Sequence, residues 1–186
     1  KNKLLLFNEM KFKKLKNSEL LRKSIDEFKR SEKIPLTIVI DNLRSLNNIG
    51  SIFRTADAFL IEEILICGIS GTPPHRDIQK TAIGSTESVS WRYFKSSLDS
   101  LKYLKEKGIK IFSIEQTLNS ISIKDFKVNK DSQYAFIFGN EVNGISQEVI
   151  DLCDGVIEIP QIGTKHSLNV SVTAGIIIWS FFKFFF

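Results

Sequence analysis

Cysteine occurs only twice in these 186 residues, at Cys67 and Cys153, and histidine only twice, at His75 and His166. Two isolated cysteines make neither a disulfide framework nor a zinc site, and their spacing is not that of a redox pair, so a reducing cytoplasm is the expected compartment. Four prolines and ten glycines without a repeating period exclude collagen, mucin and repeat architectures. Long apolar runs are also scarce. The opening KNKLLLFNEMKFKK holds a three-residue leucine run, too short for the apolar region of a secretory signal. The tail VSVTAGIIIWSFFKFFF, residues 170–186, is shorter than the roughly 20 apolar residues a spanning helix needs, and it carries Lys183. It is expected to be a buried terminal helix, apolar all round.

What is present suffices for one domain. Hydrophobic residues make up 42% and charged residues 25%, with fifteen Phe, so a core is available and disorder is not the default. Charge is unevenly placed. Residues 1–33 hold eleven Lys or Arg against five Asp or Glu, whereas the rest of the chain is close to neutral. A basic segment on a neutral body suits a polyanion, because each neutralised phosphate releases counterions; on composition alone, though, a short Lys-rich stretch is more often a solvated helix face.

The chain alternates apolar strands with amphipathic helices. Ser18 is placed to cap a helix carrying Leu20, Leu21, Ile25 and Phe28, closed by Pro35. Strands are expected at residues 36–41, 63–67, 88–94, 110–114, 134–139 and 156–160. Helices are expected at residues 47–58, near 79–82, at 97–107 ending on Gly108, at 146–152 and at the C-terminus, with Asn47 or Asn48 capping the first of these. The polar stretch 115–132 has no clear pattern. This alternation predicts an α/β domain built on a mostly parallel sheet flanked by helices.

In open parallel sheets, ligands bind beyond the carboxyl ends of the strands. Three junctions there are rich in polar residues: DNLRSLNNIGSIFR, FGNEVNG and IPQIGTKHSLN. The first sets Asn48 at a helix start and Arg54 six residues on, in a stretch expected to be buried. A buried guanidinium needs either an anionic ligand or an ion-pair partner such as Asp57, and spacing does not choose between them. The second, with Gly139, Asn140, Glu141 and Gly144, offers main-chain amides and one carboxylate, enough for an adenine edge or a ribose or simply for a turn. No GxGxxG fingerprint and no P-loop is present. The third places Ser167 and Asn169 at a helix start beside His166, a lone loop histidine.

Taken in order, NNIGSIFRTADAF (residues 47–59), FIFGNEVNGIS (136–146) and IEIPQIGTKHSLNVSVTAGI (157–176) resemble the three motifs of the SpoU (TrmH-like) RNA ribose methyltransferases, a branch of the SPOUT superfamily. The stretch TPPHRDIQKTAIGSTESVSW (72–91) is similar to that group as well, so the resemblance spans residues 36–179. It implies a C-terminal deep trefoil knot, a homodimer in which two subunits contribute to each site, and S-adenosylmethionine as cofactor, with no metal. On the matching positions, Arg54 activates the ribose 2′-hydroxyl. Since a guanidinium does not deprotonate in proteins, its role reads as lowering the hydroxyl's pKa and gripping phosphate. Asn48, Glu141, Ser167 and Asn169 complete the implied catalytic set, with Glu141 supporting Arg54 or the cofactor loop. Gly139, Asn140, Glu141, Gly144, Ile159, Gln161, Leu168 and Asn169 line the implied cofactor pocket. Gln161 stands where Met is common and Thr173 where Ala is usual, mild departures that bear on cofactor affinity.

The expected organisation is a basic helical extension over residues 1–34 and a SPOUT methyltransferase domain over 35–186. The expected activity is cytoplasmic 2′-O-methylation of RNA, with tRNA favoured over rRNA because the extension is short, and no membrane involvement. Lys11, Lys13, Lys14, Lys16, Arg22 and Lys23, joined by Arg44, are the expected RNA contacts. A non-catalytic RNA-binding relative of the same fold is the alternative.

Overall fold

The computed structural model describes residues 12–186. Seven strands form one sheet: β1 (Ile34–Asp41), β2 (Ile61–Cys67), β3 (Ser90–Phe94), β4 (Lys110–Ile114), β5 (Ile121–Ser122), β6 (Tyr134–Phe138) and β7 (Gly155–Glu158). Their spatial order is β3-β2-β1-β6-β4-β7-β5, and every pairing is parallel. The helices are α1 (Ile25–Arg30), α2 (Leu46–Ala58), α3 (Arg76–Ala82), α4 (Ser85–Ser88), α5 (Ser97–Glu106), α6 (Gln147–Asp151) and α7 (Val170–Phe182).

Side chains alternate across the sheet and divide the core in two, as a strand period of two requires. On one face Ile38, Ile40, Ile64, Ile66, Phe136 and Phe138 pack with Ile49, Ile52 and Phe53 of α2 and with Ala174, Ile177, Ile178 and Phe181 of α7. On the other, Val39, Leu65, Cys67, Ala135 and Ile137 meet Leu101 and Leu104 of α5 and Val149 of α6. The terminal apolar run is thus a helix with one face in the core, while Val172 and Trp179 remain about half exposed. No helix among the described residues is long and apolar enough to cross a membrane.

Several element ends differ from the sequence reading, each for a local reason. No helix starts at Ser18: a 3-10 turn occupies Asn17–Glu19, and Leu21 adopts a left-handed backbone with φ of +48°. The helix begins instead after Ser24, whose hydroxyl accepts from the Glu27 amide while the Glu27 carboxylate accepts from the Ser24 amide at 2.7 Å. Only Phe28 of the expected apolar set is buried. Pro35 lies inside β1, near its irregular start, rather than closing a helix. Ser45, not Asn47 or Asn48, caps α2 by accepting from the Asn48 amide. Ile83 and Gly84, both left-handed, separate α3 from α4, which takes the residues before β3. The patternless stretch contains β5 at the sheet edge.

Candidate active site

The loops following β4, β6 and β7 gather at one rim of the sheet, with the loop following β1 bonded alongside. The first three line a cavity of about 670 Å³, within the range of small-molecule sites. Its apolar floor comes from Ile114, Phe138, Ile157 and Ile159 at the strand ends, with Ile145 and Leu168 beside them. One wall is main chain. Gly139 packs so closely that a Cβ there would stand 2.4 Å from the Gly144 carbonyl carbon and 2.6 Å from the Ile145 nitrogen. Asn140 and Gly144 exchange backbone bonds of 3.1 and 2.9 Å, closing the turn, and the Asn140 Oδ1 accepts from the amides of Val142 and Asn143.

Polar side chains lock these loops together across the sequence. The Glu141 carboxylate accepts from the amides of Arg44 and Ser45, each at 3.1 Å, and from Asn48 Nδ2 at 3.3 Å. Asn169 Nδ2 donates to Asn48 Oδ1 at 3.2 Å, while its own Oδ1 accepts from Ser171 and Val172 and caps α7. Asn140 Nδ2 donates to the Asn42 carbonyl at 2.6 Å. Partial burial on its own would raise the Glu141 pKa, but the amides of Arg44, of Glu141 itself and of Ser45, with the Asn48 side chain, outweigh it and hold the carboxyl below its ordinary range. The first junction is therefore bonded to both of the others.

Matches to known proteins extend over the same elements. Residues 35–179 match the model of the SpoU rRNA Methylase family. The chain belongs to that family. It is 32% identical over 163 residues to the tRNA (guanosine(18)-2′-O)-methyltransferase of Thermus thermophilus, covering 87% of this chain and 81% of that one. It is 29% identical to the 23S rRNA (guanosine-2′-O-)-methyltransferase RlmB of Neisseria meningitidis, covering 77% of this chain but 56% of that protein. The crystal structure of the A. aeolicus TrmH/SpoU tRNA modifying enzyme superposes with a TM-score of 0.75 at 25% identity, covering 86% of this chain and 79% of that one.

In this SpoU methylase, all eight residues expected around a cofactor line the cavity: Gly139, Asn140, Glu141, Gly144, Ile159, Gln161, Leu168 and Asn169. Ser167 and Thr173 line it too, and Thr173 Oγ1 donates to the Asn169 carbonyl. Asn48 does not line it but is tied to it through Glu141 and Asn169. Arg54 is different. It was expected in a buried stretch and is instead exposed. Six residues carry it about 600° around α2, roughly 120° away from the face of Asn48. Its guanidinium makes no ion pair or hydrogen bond with another described residue, and Asp57, the suggested partner, accepts from Ser88 instead. Neither Glu141 nor Asn169 bonds Arg54, so their direct effect is on the loop after β1 and on Asn48.

Sequence reasoning missed the loop after β4. Glu115, Gln116 and Thr117 line the cavity, and Gln116 Nε2 donates to the His166 carbonyl at 2.7 Å, joining that loop to the one after β7. The signal was available: EQT follows an apolar strand just as polar residues do at the other three junctions. Lys13, Lys14, Lys16, Arg22, Lys23 and Arg44 are exposed, and Lys11 lies outside the described residues. Burial pushes the thiols of Cys67 and Cys153 up to about 11, so neither is a ready nucleophile. Among the described residues no three His, Cys, Asp or Glu side chains come together as a metal site.

Proposed function

We propose that this SpoU methylase transfers a methyl group from S-adenosylmethionine to a ribose 2′-hydroxyl of RNA, with tRNA the preferred substrate, as a cytoplasmic homodimer. The observation that carries this reading is that the second and third junction loops line one cavity and the first is bonded to both of them through Glu141, Asn48 and Asn169. The cavity suits the cofactor: apolar strand ends offer a bed for adenine, and the Gly139 and Gly144 turn brings main chain to its wall with no side chain at either glycine. The Thermus relative supports tRNA, because its name specifies a tRNA guanosine and most of both chains align.

The cofactor brings a methyl group on a positively charged sulfur, ready for displacement without a metal. The chain's own part is positioning: the loops fix the cofactor's orientation, and Arg54 grips the phosphate beside the reacting ribose and favours the ionised hydroxyl, whose proton leaves to solvent. Arg54 lies outside its own protomer's cavity, and a dimer gives it a route to the reaction. Val172, Ile176 and Trp179 leave an apolar strip of α7 exposed beside Phe59 and Phe182, a surface that a second copy would cover. The return of α7 against α2, after β7 on the far side of β6 and β4, is the path a knotted C-terminal segment takes, and we include the trefoil knot in the proposal. Residues 1–34 are proposed as the RNA-contacting extension and residues 35–186 as the methyltransferase domain.

The test is transfer of labelled methyl from S-adenosylmethionine to unmodified tRNA and ribosomal RNA fragments, wild type beside Arg54→Ala. Label in tRNA recovered as a 2′-O-methylnucleoside, and lost in the variant, is the expected result. Label only in ribosomal RNA overturns the substrate. No label in either, together with no cofactor binding, overturns the activity in favour of an RNA-binding relative that does not methylate.

A further inference from the structure

Among the described residues, and apart from His166, the only ionisable side chains lining the cavity are two carboxylates, Glu115 and Glu141. They are engaged differently. Three donors converge on Glu141, from Arg44, Ser45 and Asn48, so its charge is already met by the loop it holds. Glu115 receives one amide on each oxygen, from Gln116 at 2.8 Å and from Ile145 at 3.3 Å, and no described cation pairs with it. Its strand, β4, runs between β6 and β7, so Glu115 emerges in the middle of the rim, between the turn at residues 139–146 and the loop at 159–169. The turn leaves room for it. Gly144, left-handed with φ of +64°, has no side chain, and a Cβ there would meet Glu115 Oε2 at 2.3 Å. Glu115 is itself half-buried, above the buried side chains of Ile114, Ile145 and Ile157, which keeps the effective dielectric below that of water and lets a charge act over several ångströms.

Methyl transfer changes the ligand's charge by one. The bond from methyl carbon to sulfur breaks as the bond from methyl carbon to the ribose oxygen forms. The sulfur keeps the electron pair and loses its positive charge, while the hydroxyl proton leaves to solvent. A cavity lined by a carboxylate that has no ion-pair partner, and by no lysine or arginine, therefore holds the substrate form more tightly than the product form. Resting on the cofactor reading above, we infer that Glu115 is the residue that makes this cavity discriminate S-adenosylmethionine from S-adenosylhomocysteine, and so favours release of the spent cofactor. The role is specificity-determining and electrostatic, separate from the loop-holding role of Glu141.

The experiment is calorimetric titration of the full chain with each of the two ligands, for wild type, Glu115→Gln and Glu115→Asp. Wild type is expected to prefer S-adenosylmethionine. Glu115→Gln, isosteric and still able to accept from Ile145, should reduce that preference about threefold to tenfold, the size of a partly screened charge pair, mainly by weakening S-adenosylmethionine. Glu115→Asp keeps the charge and should retain most of the preference. Equal affinity of wild type for both ligands overturns the inference without any variant. A ratio unchanged in Glu115→Gln, or a loss equal for both ligands, overturns it too and makes Glu115 a purely structural contact. Wild type binding neither ligand overturns the cofactor reading itself, and the inference with it.

Discussion

At the amino ends of the strands, Glu63 is 7% exposed. It accepts from Arg92 Nε at 2.9 Å and from the Tyr103 hydroxyl at 3.4 Å, and the Arg92 guanidinium also lies 5.2 Å from the centre of the Tyr103 ring. At the carboxyl ends Glu141 is exposed, and its partners are two backbone amides and an asparagine. The first carboxylate pins β2 to β3 and α5, a contact that serves packing. The second holds the loop after β1 against the turn after β6. A buried carboxylate met by a charged side chain reports on stability, whereas an exposed one met by main chain fixes the path of a loop.

Four measurements sharpen or break that contrast. The largest effect is expected from Arg54→Ala, which should lower methyl transfer by about a hundredfold or more, the usual cost of removing a preorganised donor, and leave the melting temperature unchanged because the side chain is exposed. A parallel loss of stability would make Arg54 structural. Gly139→Ala should weaken S-adenosylmethionine binding at least about tenfold and cost about 1–3 kcal/mol of stability, since its Cβ meets backbone atoms that cannot turn aside; titration and denaturant melts check both. Arg92→Ala should cost about 1–3 kcal/mol by leaving Glu63 without its cation, toward the lower end because Arg92 is 55% exposed, with turnover per folded molecule unchanged. A fall in turnover would erase the division between the two ends of the sheet.

The smallest effect concerns pH. The folded-state pKa of Glu141 lies below its unfolded value, so its stabilising contribution is complete above the ordinary carboxylate range and is lost as the pH falls through that range to the folded value. Glu141→Gln should flatten the acid limb of a pH–stability curve measured by thermal melts. An unchanged limb would show that the amide contacts contribute no linkage.

Much of this was legible in the chain, and the gaps have identifiable causes. β4 has the expected limits because KIFSI is short, apolar and bounded by Gly108 on one side and polar residues on the other. The helix expected from Ser18 failed because its apolar spacing counted Leu20 and Leu21, whereas the Ser24 and Glu27 capping box and the left-handed Leu21 start the helix later. Of the site, the cavity-lining residues were accessible through their motifs. Glu115 and Gln116 carried only the general signal of polar residues after an apolar strand; that they share the cavity comes from β4 lying between β6 and β7, an order no local pattern encodes. Arg54 was placed in a buried stretch because its neighbours Ile52, Phe53 and Ala56 are buried, but a helix has more than one face.

By itself the sequence determined the strand and helix alternation, the parallel sheet and the three polar junctions, since these depend on periodicity and on residues within a turn or two of one another. Only the tertiary structure decided which junctions touch. Inserting β6 between β1 and β4 carries Glu141 to amides 97 and 96 residues away and brings Asn169 to Asn48 across 121. Contacts at such separations depend on strand order and on the hydrophobic burial that sets it, so the site exists only once the sheet has closed around its core.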